Sequence, residues 1–426
     1  MKRFVSLLLV LVMLGVFSVA FATGEEPVKL VMITQSTAVE QYCNYFNSQN
    51  PGIQIEFQYV SGGWQELSQK IVTLIAADMA PDITFMSPTY LADFAMRGML
   101  LDLTEYVERD VTNMDDYVEG IWESMSVDGR IYGVPKDVRF SMMWFNKRMF
   151  NELGLDYPCQ DWSTGWSVEE WVETMKKVSG HTVDETNVTR GMNPDWRYCR
   201  MMNLFQWEGI TNALDAEGNA DYNNAAVVKA YQTIMDGVKE GWIATAGDKD
   251  AIGAGARFYN GHDSFTLTGN WTYDSNVDNV NLGVAVMPGG VSNYWNDMYC
   301  GLASTKHPEE VWEVMKFFNS YEYWDWAMSD PTANGIAFSP FKSVNEKYAD
   351  ALYPTITGAD RECLFGYLEN ATAYVPFPCY TEFENMLAEH TSLMYALEVD
   401  DVQAELDTLN EDFQDVLDEF YEEYGR

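Results

Sequence analysis

The sequence has few positive charges and few of the side chains that bind transition metals. Its 426 residues carry 26 lysines and arginines against 65 aspartates and glutamates, a formal net charge of −39 at pH 7. Such a field repels nucleic acids and anionic membranes, so we expect neither as a partner. The four histidines and six cysteines show no C-x-x-C or H-x-x-x-H spacing. No metal or cofactor is therefore predicted.

The signatures of common enzyme classes are also missing. The sequence has no G-x-S-x-G elbow, no Walker loop and no Cys/His arrangement of usable spacing. Asp215 to Asp221 alternates oxygen-bearing side chains as a calcium loop does, but its glycine stands too early and the closing glutamate is missing. A plain acidic turn is predicted there. Glycoside hydrolysis needs a pair of carboxylates, and the 65 acidic residues would supply such pairs almost anywhere in the sequence. No catalytic residue is therefore assigned.

One long apolar run occurs, at the N-terminus. Met1-Lys2-Arg3 precedes an apolar stretch that closes on Ala20-Phe21-Ala22, the pattern of a signal peptide over 1–22; an uncleaved signal anchor is the alternative. No cysteine follows as a bacterial lipid anchor would require, so we expect a soluble protein, periplasmic or secreted. Six cysteines then permit disulfides, but the sequence does not choose a pairing. Cys363 and Cys379, the nearest in sequence, are a weak candidate.

The pattern between residues 53 and 103 predicts an α/β fold. Ile53 to Tyr59 alternates apolar and polar residues as a half-buried strand does, and an amphipathic helix follows from Trp64 until Pro81 ends it. Ile83 to Phe85 is then the right length for a buried strand before a second helix. Such units place ligands at the carboxyl ends of their strands. Asp82, between helix and strand, is predicted to cap local backbone.

The rest of the chain predicts a second lobe and three crossings between the lobes. A length of 426 residues exceeds one ordinary core, so two domains are expected. Apolar periodicity predicts helices over 168–178, 225–238, 309–319 and 402–424, and strands over 28–33, 264–268 and 282–287. Turn signals mark crossovers near 127–145, 282–290 and 335–342. Three crossovers make a hinged, two-lobed protein with a cleft that can close on a ligand.

A series of short segments resembles one known family. The matching segments are Asn50-Pro51-Gly52-Ile53, Trp64 to Asp82, Tyr90 to Leu103, Gly129 to Pro135, Phe145-Asn146-Lys147 with Phe150, Phe258 with Gly261, Gly269-Asn270-Trp271, Pro288-Gly289-Gly290, Glu310 to Phe318, and Gly335 with Phe338-Ser339-Pro340. Because these segments occur in this order, the chain resembles bacterial extracellular solute-binding proteins. The family is the one that contains the maltose- and oligosaccharide-binding proteins of ABC importers. It departs from the family's pattern at Trp144-Phe145, where tyrosine is commoner, and in lacking the lipid-anchoring cysteine of many relatives.

The resemblance implies capture of a carbohydrate, such as an oligosaccharide, by a monomer that hands it to an ABC permease. It also implies a periplasmic-binding-protein fold with a first lobe over 23–137 and 289–338 and a second lobe over 138–288 and 339–426. Two alternatives remain open: a secreted carbohydrate-active enzyme, a hydrolase or lyase, and a binding protein for a non-sugar solute such as a polyamine or peptide.

Candidate ligand residues lie where the matching segments meet the expected cleft. Aromatic rings suit the C–H faces of sugars, and polar side chains suit their hydroxyls. The residues expected to contact ligand are Gln35, Ser36, Trp64, Ser87, Thr89, Tyr90, Asp137, Arg139, Trp207, Asn270, Trp271, Trp295, Asn296, Asp297, Tyr299, Phe338 and Tyr380. Trp271 matches a tryptophan that commonly stacks on sugar in the family. Arg139 is either a partner for a ligand carboxylate or one half of a structural ion pair; for the other rings, core packing is the alternative.

Overall fold

A computed structural model describes residues 26–183, 188–273, 281–330 and 338–425. The predicted leader over 1–22 and part of the third predicted crossover, 335–337, lie outside these ranges. The strands in the described ranges are β1 (Val28–Thr34), β2 (Ile53–Tyr59), β3 (Ile83–Met86), β4 (Ser126–Val127), β5 (Arg130–Ile131), β6 (Val134–Pro135), β7 (Ser141–Asn146), β8 (Arg190–Met192), β9 (Asp263–Gly269), β10 (Leu282–Ala285), β11 (Ser292–Asn293), β12 (Met298–Gly301) and β13 (Ala371–Thr372).

Helices cover the faces of the sheets formed by these strands. They are α1 (Val39–Gln49), α2 (Trp64–Ala76), α3 (Leu91–Met96), α4 (Thr104–Asp110), α5 (Lys147–Leu153), α6 (Val168–Val178), α7 (Tyr198–Met201), α8 (Ala225–Glu240), α9 (Ala246–Ile252), α10 (Ala254–Tyr259), α11 (Pro308–Phe318), α12 (Tyr321–Met328), α13 (Lys342–Lys347), α14 (Ala359–Asn370), α15 (Tyr380–Tyr395) and α16 (Val402–Tyr424). Short 3₁₀ turns, including Pro88–Tyr90 and Asn270–Thr272, follow β3 and β9.

The first lobe is built on a five-stranded sheet with the order β2-β1-β3-β12-β6. β1 is parallel to β2 and β3, whereas β12 is antiparallel to β3 and β6. α1 and α2 link the parallel strands and bury apolar side chains such as Phe46 and Ile71. Asp82 accepts hydrogen bonds from the Val31 amide at 2.9 Å and from the Thr305 hydroxyl at 2.6 Å. The role is structural as predicted, but the partners lie 51 and 223 residues away in sequence, so the predicted capping of local backbone is wrong.

The second lobe is built on a four-stranded sheet with the order β10-β7-β9-β8. β7 pairs antiparallel with β9 and β10, and each of its residues is buried. This explains why the sequence shows an apolar run here and not an alternation. α6 begins where predicted, because Ser167 Oγ accepts from the Glu170 amide at 3.1 Å and the Glu170 carboxylate accepts from the Ser167 amide at 2.8 Å.

The segments that connect the two sheets lie side by side. The chain leaves β6 for β7 through 136–140 and returns from β10 to β12 through 286–297. The amide of Trp295 donates to Arg139 O at 2.8 Å, and the amide of Val138 donates to Phe338 O at 2.8 Å. Residue 338 therefore brings the described end of the third crossover beside the other two. The exact lobe boundaries stay a prediction.

The C-terminal segment forms the long amphipathic helix α16. Its buried stripe runs through Leu406, Leu409, Phe413, Leu417 and Phe420. The apolar spacing of the sequence predicts a stripe with Val416 in place of Leu417. Residue 416 is only half-buried, because the helical repeat brings residue 417 onto the face that carries Phe413. The prediction of a packed helix is confirmed with this one-residue correction.

The six thiols are all free, and the weak candidate pair is not bonded. Cys363 lies buried within α14, whereas Cys379 directly precedes α15, where its amide donates to Asp93 Oδ1 of the first lobe at 3.1 Å. The two therefore belong to different packing environments despite their closeness in sequence. The predicted acidic turn is confirmed, since Asp215 accepts from the Asn219 amide at 2.8 Å.

Candidate functional site

A cavity of about 910 Å³ lies between the two lobes. Both lobes and the crossing segments contribute to its wall. The lining residues are Gln35, Trp64, Gln65, Ser87, Pro88, Thr89, Tyr90, Arg139, Arg197, Cys199, Arg200, Thr268, Trp271, Thr272, Trp295, Asp297, Tyr380, Thr381, Glu384 and Asn385. Ten of the seventeen residues expected to contact ligand are among them: Gln35, Trp64, Ser87, Thr89, Tyr90, Arg139, Trp271, Trp295, Asp297 and Tyr380.

The first-lobe wall lies at the carboxyl ends of β1 and β3. Gln35 follows β1, and Ser87 begins the turn after β3, where its hydroxyl lies 3.1 Å from that of Thr89. Trp64 starts α2 and packs its ring 4.9 Å from that of Phe85. Parallel strands thus deliver polar side chains and one indole to the cavity, as the α/β pattern predicts.

The second-lobe wall is centred on Trp271, which follows β9. A Cβ added at Gly269 would lie 2.0 Å from the indole of Trp271. The indole therefore rests directly on the bare backbone of Gly269. The guanidinium carbon of Arg200 lies 5.0 Å from the centre of the same ring, within cation–π range.

The floor of the cavity is formed by the crossing segments. Arg139 donates from Nε and Nη2 to the two oxygens of Asp137, at 2.8 Å each, and the Lys136 ammonium reaches the same carboxylate at 2.9 Å. Burial opposes the charge of Asp137, but Arg139 and Lys136 outweigh it, so the pKa of Asp137 lies below its ordinary value. Burial raises the pKa of Asp297 to about 7, although Arg139 opposes the shift. The ion-pair alternative for Arg139 matches this geometry.

Trp295 supplies an unused donor to the floor. Its ring stacks on that of Tyr374 at 4.3 Å. Its Nε1 is buried and has no hydrogen-bond partner among the described residues. A buried N–H without an acceptor is costly, on the order of 1–3 kcal/mol. A ligand oxygen in the cavity would remove that cost.

Seven predicted residues do not line the cavity. They are Ser36, Asp137, Trp207, Asn270, Asn296, Tyr299 and Phe338. Three of these have clear supporting roles behind the wall. Asn270 accepts from the Phe140 amide and donates to Val138 O, each at 3.2 Å, and Asn296 accepts from the Arg139 amide at 2.7 Å. These amides hold the crossing segments, and Asp137 neutralises the neighbouring cations.

The remaining predicted residues are set by packing. Tyr299 and Phe338 are fully buried, the first stacked on Phe318 at 4.9 Å. Trp207 lines a separate shallow hollow with Trp171. The amide of Ser36 donates to the hydroxyl of Thr34, two residues earlier, at 3.0 Å. Direct ligand contact by these residues stays a prediction without geometric support.

Sequence reasoning missed half of the lining. The missed residues are Gln65, Pro88, Arg197, Cys199, Arg200, Thr268, Thr272, Thr381, Glu384 and Asn385. The four residues 380, 381, 384 and 385 share one face of α15, a spacing that could have extended the prediction from Tyr380 to its neighbours. α7 has only four residues, so Arg200 within it and Arg197 directly before it gave no periodic signal.

Contacts also join the lobes through α3. Its Asp93 accepts from the Cys379 amide at 3.1 Å, and Arg97, directly after α3, donates to the Tyr424 hydroxyl at 2.7 Å. The guanidinium carbon of Arg97 lies 4.5 Å from the ring of Tyr424 and 5.0 Å from that of Phe420. These contacts bridge the two lobes and are lost when the lobes move apart.

Arg97→Leu should shift the protein toward an open arrangement. The variant keeps apolar bulk but loses the hydrogen bond and the cation–π contacts, a loss of about 1 kcal/mol or roughly five-fold in the ratio of closed to open forms. Small-angle X-ray scattering should report a larger radius of gyration. Arg130→Leu, an exposed position in the same lobe, is the control, and equal radii for both variants would contradict the role of Arg97.

The two sheets, the segments that cross between them and the cavity between the lobes define a two-lobed ligand-binding protein. A family model described as bacterial extracellular solute-binding protein matches residues 33–323. The chain belongs to this family, as its sequence motifs indicate. The family consists of binding proteins, in agreement with the sequence-based prediction of a binding protein without a catalytic residue.

Relatives share the family and the fold at low identity. A binding protein of Brucella abortus (strain 2308) is 22% identical over 368 residues, which span 84% of this chain and 84% of that protein. The ABC substrate-binding protein of Listeria monocytogenes in complex with cycloalternan has a TM-score of 0.77 at 17% identity, covering 92% of this chain and 99% of that chain. A sugar-binding protein of Xanthomonas citri has a TM-score of 0.76 at 18% identity, covering 94% of this chain and 100% of that chain. These structures confirm the two-lobed α/β fold.

No helix within the described ranges is long and apolar enough to cross a bilayer. Across the same ranges, no cluster of three or more His, Cys, Asp or Glu side chains is arranged to hold a metal ion.

Proposed function

We propose that the protein captures a carbohydrate, an oligosaccharide in the simplest case, in the interlobe cavity and delivers it to the permease of an ABC importer. The observation that carries this proposal is the lining itself. Three indoles, of Trp64, Trp271 and Trp295, face one cavity together with hydroxyl and amide side chains. Sugar rings offer C–H faces to such rings, and their hydroxyls need partners such as the free Nε1 of Trp295.

The relatives and the size of the cavity support the same reading. The Listeria monocytogenes relative is described with cycloalternan, and the Xanthomonas citri relative as a sugar-binding protein. A cavity of about 910 Å³ is at the upper end of the usual range for ligand sites, roughly 300–1,000 Å³. That size favours an oligosaccharide over a single small solute.

The proposal extends to location and assembly. The protein is exported by its leader over 1–22 and acts as a monomer in the periplasm or outside the cell. The first lobe comprises 23–137 and 289–338, and the second lobe comprises 138–288 and 339–426. The permease would recognise both lobes around the mouth of the closed cleft.

A titration with an oligosaccharide panel tests the function. At least one sugar should change the tryptophan fluorescence and be recovered intact. Gly269→Ala should weaken its binding about ten-fold, because the added Cβ displaces Trp271 from its seat. Gly52→Ala is the matched control, since a Cβ there meets nothing within 4 Å.

Three outcomes would contradict the proposal. Cleavage of the bound sugar would favour the carbohydrate-active enzyme. Binding of a polyamine or peptide, with no response to any sugar, would favour the non-sugar solute. Equal sugar affinity in Gly269→Ala and Gly52→Ala would remove Trp271 from the site.

A further inference from the structure

We propose that the captured sugar carries a carboxylate and that the guanidinium of Arg200 binds it. This inference rests on the proposed function, because it names the class of sugar that the same cavity takes. It differs from the sequence-based hypothesis, in which Arg139 was the candidate partner of a ligand carboxylate.

Arg200 is a buried cation whose donors are incompletely used. The residue is 4% exposed and lines the cavity. Its Nη1 donates to Ser141 Oγ at 3.1 Å and to Cys199 O at 3.4 Å. Its Nε is buried without a hydrogen-bond partner among the described residues. The carboxylate that pairs with it, Asp195, stays 3.8 Å from Nε, beyond hydrogen-bond distance.

The other arginines of the cavity are already satisfied within the protein. Arg139 holds both oxygens of Asp137 in a bidentate pair. Arg197 does the same with Asp195, donating from Nε at 2.8 Å to one oxygen and from Nη2 to the other. Asp195 therefore lies near both guanidinium groups but accepts side-chain hydrogen bonds from Arg197 and not from Arg200. Because a guanidinium cannot lose its proton, Arg200 is left with charge that a ligand anion can balance.

Glu384 and Asp297, which line the cavity, are partly buried, and burial opposes their charge. Burial raises the pKa of Glu384, whose Oε1 accepts from the Tyr198 amide at 2.8 Å and from the Tyr380 hydroxyl at 2.9 Å. Asp297 also has a raised pKa, as described above. Both carboxyls hold protons more readily than exposed ones do. Burial therefore disfavours the negative charge that these two acids could offer to Arg200.

The position of Trp271 fits an acidic sugar. Its ring centre lies 5.0 Å from the guanidinium carbon of Arg200. A pyranose held against the wall beside this indole would bring a carboxylate on its C6 within reach of the guanidinium. Arginine binds carboxylates in a planar, bidentate geometry that lysine cannot reproduce.

Matched pairs of oligosaccharides test the inference. The probes are di- and trisaccharides of galacturonic, glucuronic and mannuronic acid, each beside its neutral hexose counterpart, titrated by calorimetry. The wild-type protein should bind at least one acidic member about ten-fold or more tightly than its neutral counterpart. Arg200→Gln should abolish this ratio by weakening the acidic member more, Arg200→Lys should retain part of it, and Arg148→Gln, an exposed position, should leave it unchanged.

The outcomes separate this inference from the proposed function. If neutral sugars bind as tightly as acidic ones, the role of Arg200 is wrong and sugar capture stands. If no sugar of either kind binds, the proposed function fails as well. Should Arg200→Gln not fold, the wild-type ratio and the Arg200→Lys variant decide, and an unchanged ratio in Arg200→Lys would also count against a bidentate carboxylate.

Discussion

Asp137→Asn is expected to lower the free energy of unfolding by about 3–5 kcal/mol. The carboxylate is fully buried and accepts charged hydrogen bonds from Lys136 and Arg139. An asparagine has nearly the same shape but leaves both cations without a counter-charge in the floor of the cleft. Urea unfolding followed by circular dichroism measures the loss.

The control for this variant is Asp115→Asn, at an exposed position of the same lobe, which should change stability by less than about 0.5 kcal/mol. A loss below about 1 kcal/mol in Asp137→Asn would show that water solvates the cluster. Because the pKa of Asp137 is lowered in the folded state, its contribution is present above the ordinary carboxyl range. It is lost as the pH falls through the folded-state pKa.

Asp263→Leu should cost a similar amount, about 3–5 kcal/mol, whereas Arg257→Met with Asp263→Leu should recover most of it. Both partners are only 1% exposed, and Arg257 donates to Asp263 from Nε at 3.0 Å and from Nη2 at 2.8 Å. Removing one partner leaves a buried charge without a counter-charge, whereas removing both leaves no buried charge. The pair ties α10 to the start of β9, the strand that ends at Trp271.

Urea unfolding of the single and double variants measures this difference. Glu169→Gln, which breaks the exposed pair with Lys229, should change stability by less than about 1 kcal/mol and serves as the control. A double variant as unstable as Asp263→Leu would show that packing, and not charge, sets the cost.

The pair also has a pH signature. Burial raises the pKa of Asp263 to about 6 although Arg257 opposes the shift. The folded state therefore holds this proton more tightly than the unfolded state, in which the pKa is about 4. The contribution of Asp263 is full below pH 4 and is lost as the pH rises through 6, by at most about 1.4 kcal/mol per unit. Between pH 4 and 6 the free energy of unfolding of the wild-type protein should therefore fall relative to that of the double variant.

Local patterns in the sequence predicted the fold well because they reflect local physics. Ser167 and Glu170 mark the start of α6 through their reciprocal hydrogen bonds. Pro81 precedes β3 as predicted, but it does not end α2, which stops at Ala76. The two-residue strands β11 and β13 carry too little pattern to predict, and their pairing joins segments distant in the chain. Which register they adopt is decided by tertiary packing.

The candidate site was predicted less completely than the fold. Trp271 and Tyr90 lie beside short family motifs that place them in the cleft. Arg200 has no such motif, and only the three-dimensional position of Asp195 and Arg197 shows that its charge is incompletely paired. Asn270 was assigned to the ligand, but its amide holds the crossing segments. A sequence cannot distinguish a polar side chain that faces a cavity from one that supports the wall behind it.

The strand order of the first sheet has a consequence for synthesis. β12 (Met298–Gly301) pairs with β3 and β6 and so occupies the space between them. The ribosome produces it only after every strand of the second sheet. Until then the edge of β3 that pairs with β12 is open, and the five-stranded sheet of the first lobe is incomplete. The nascent chain therefore stays incompletely folded for most of translation, which delays its commitment to a compact form and exposes it to chaperones.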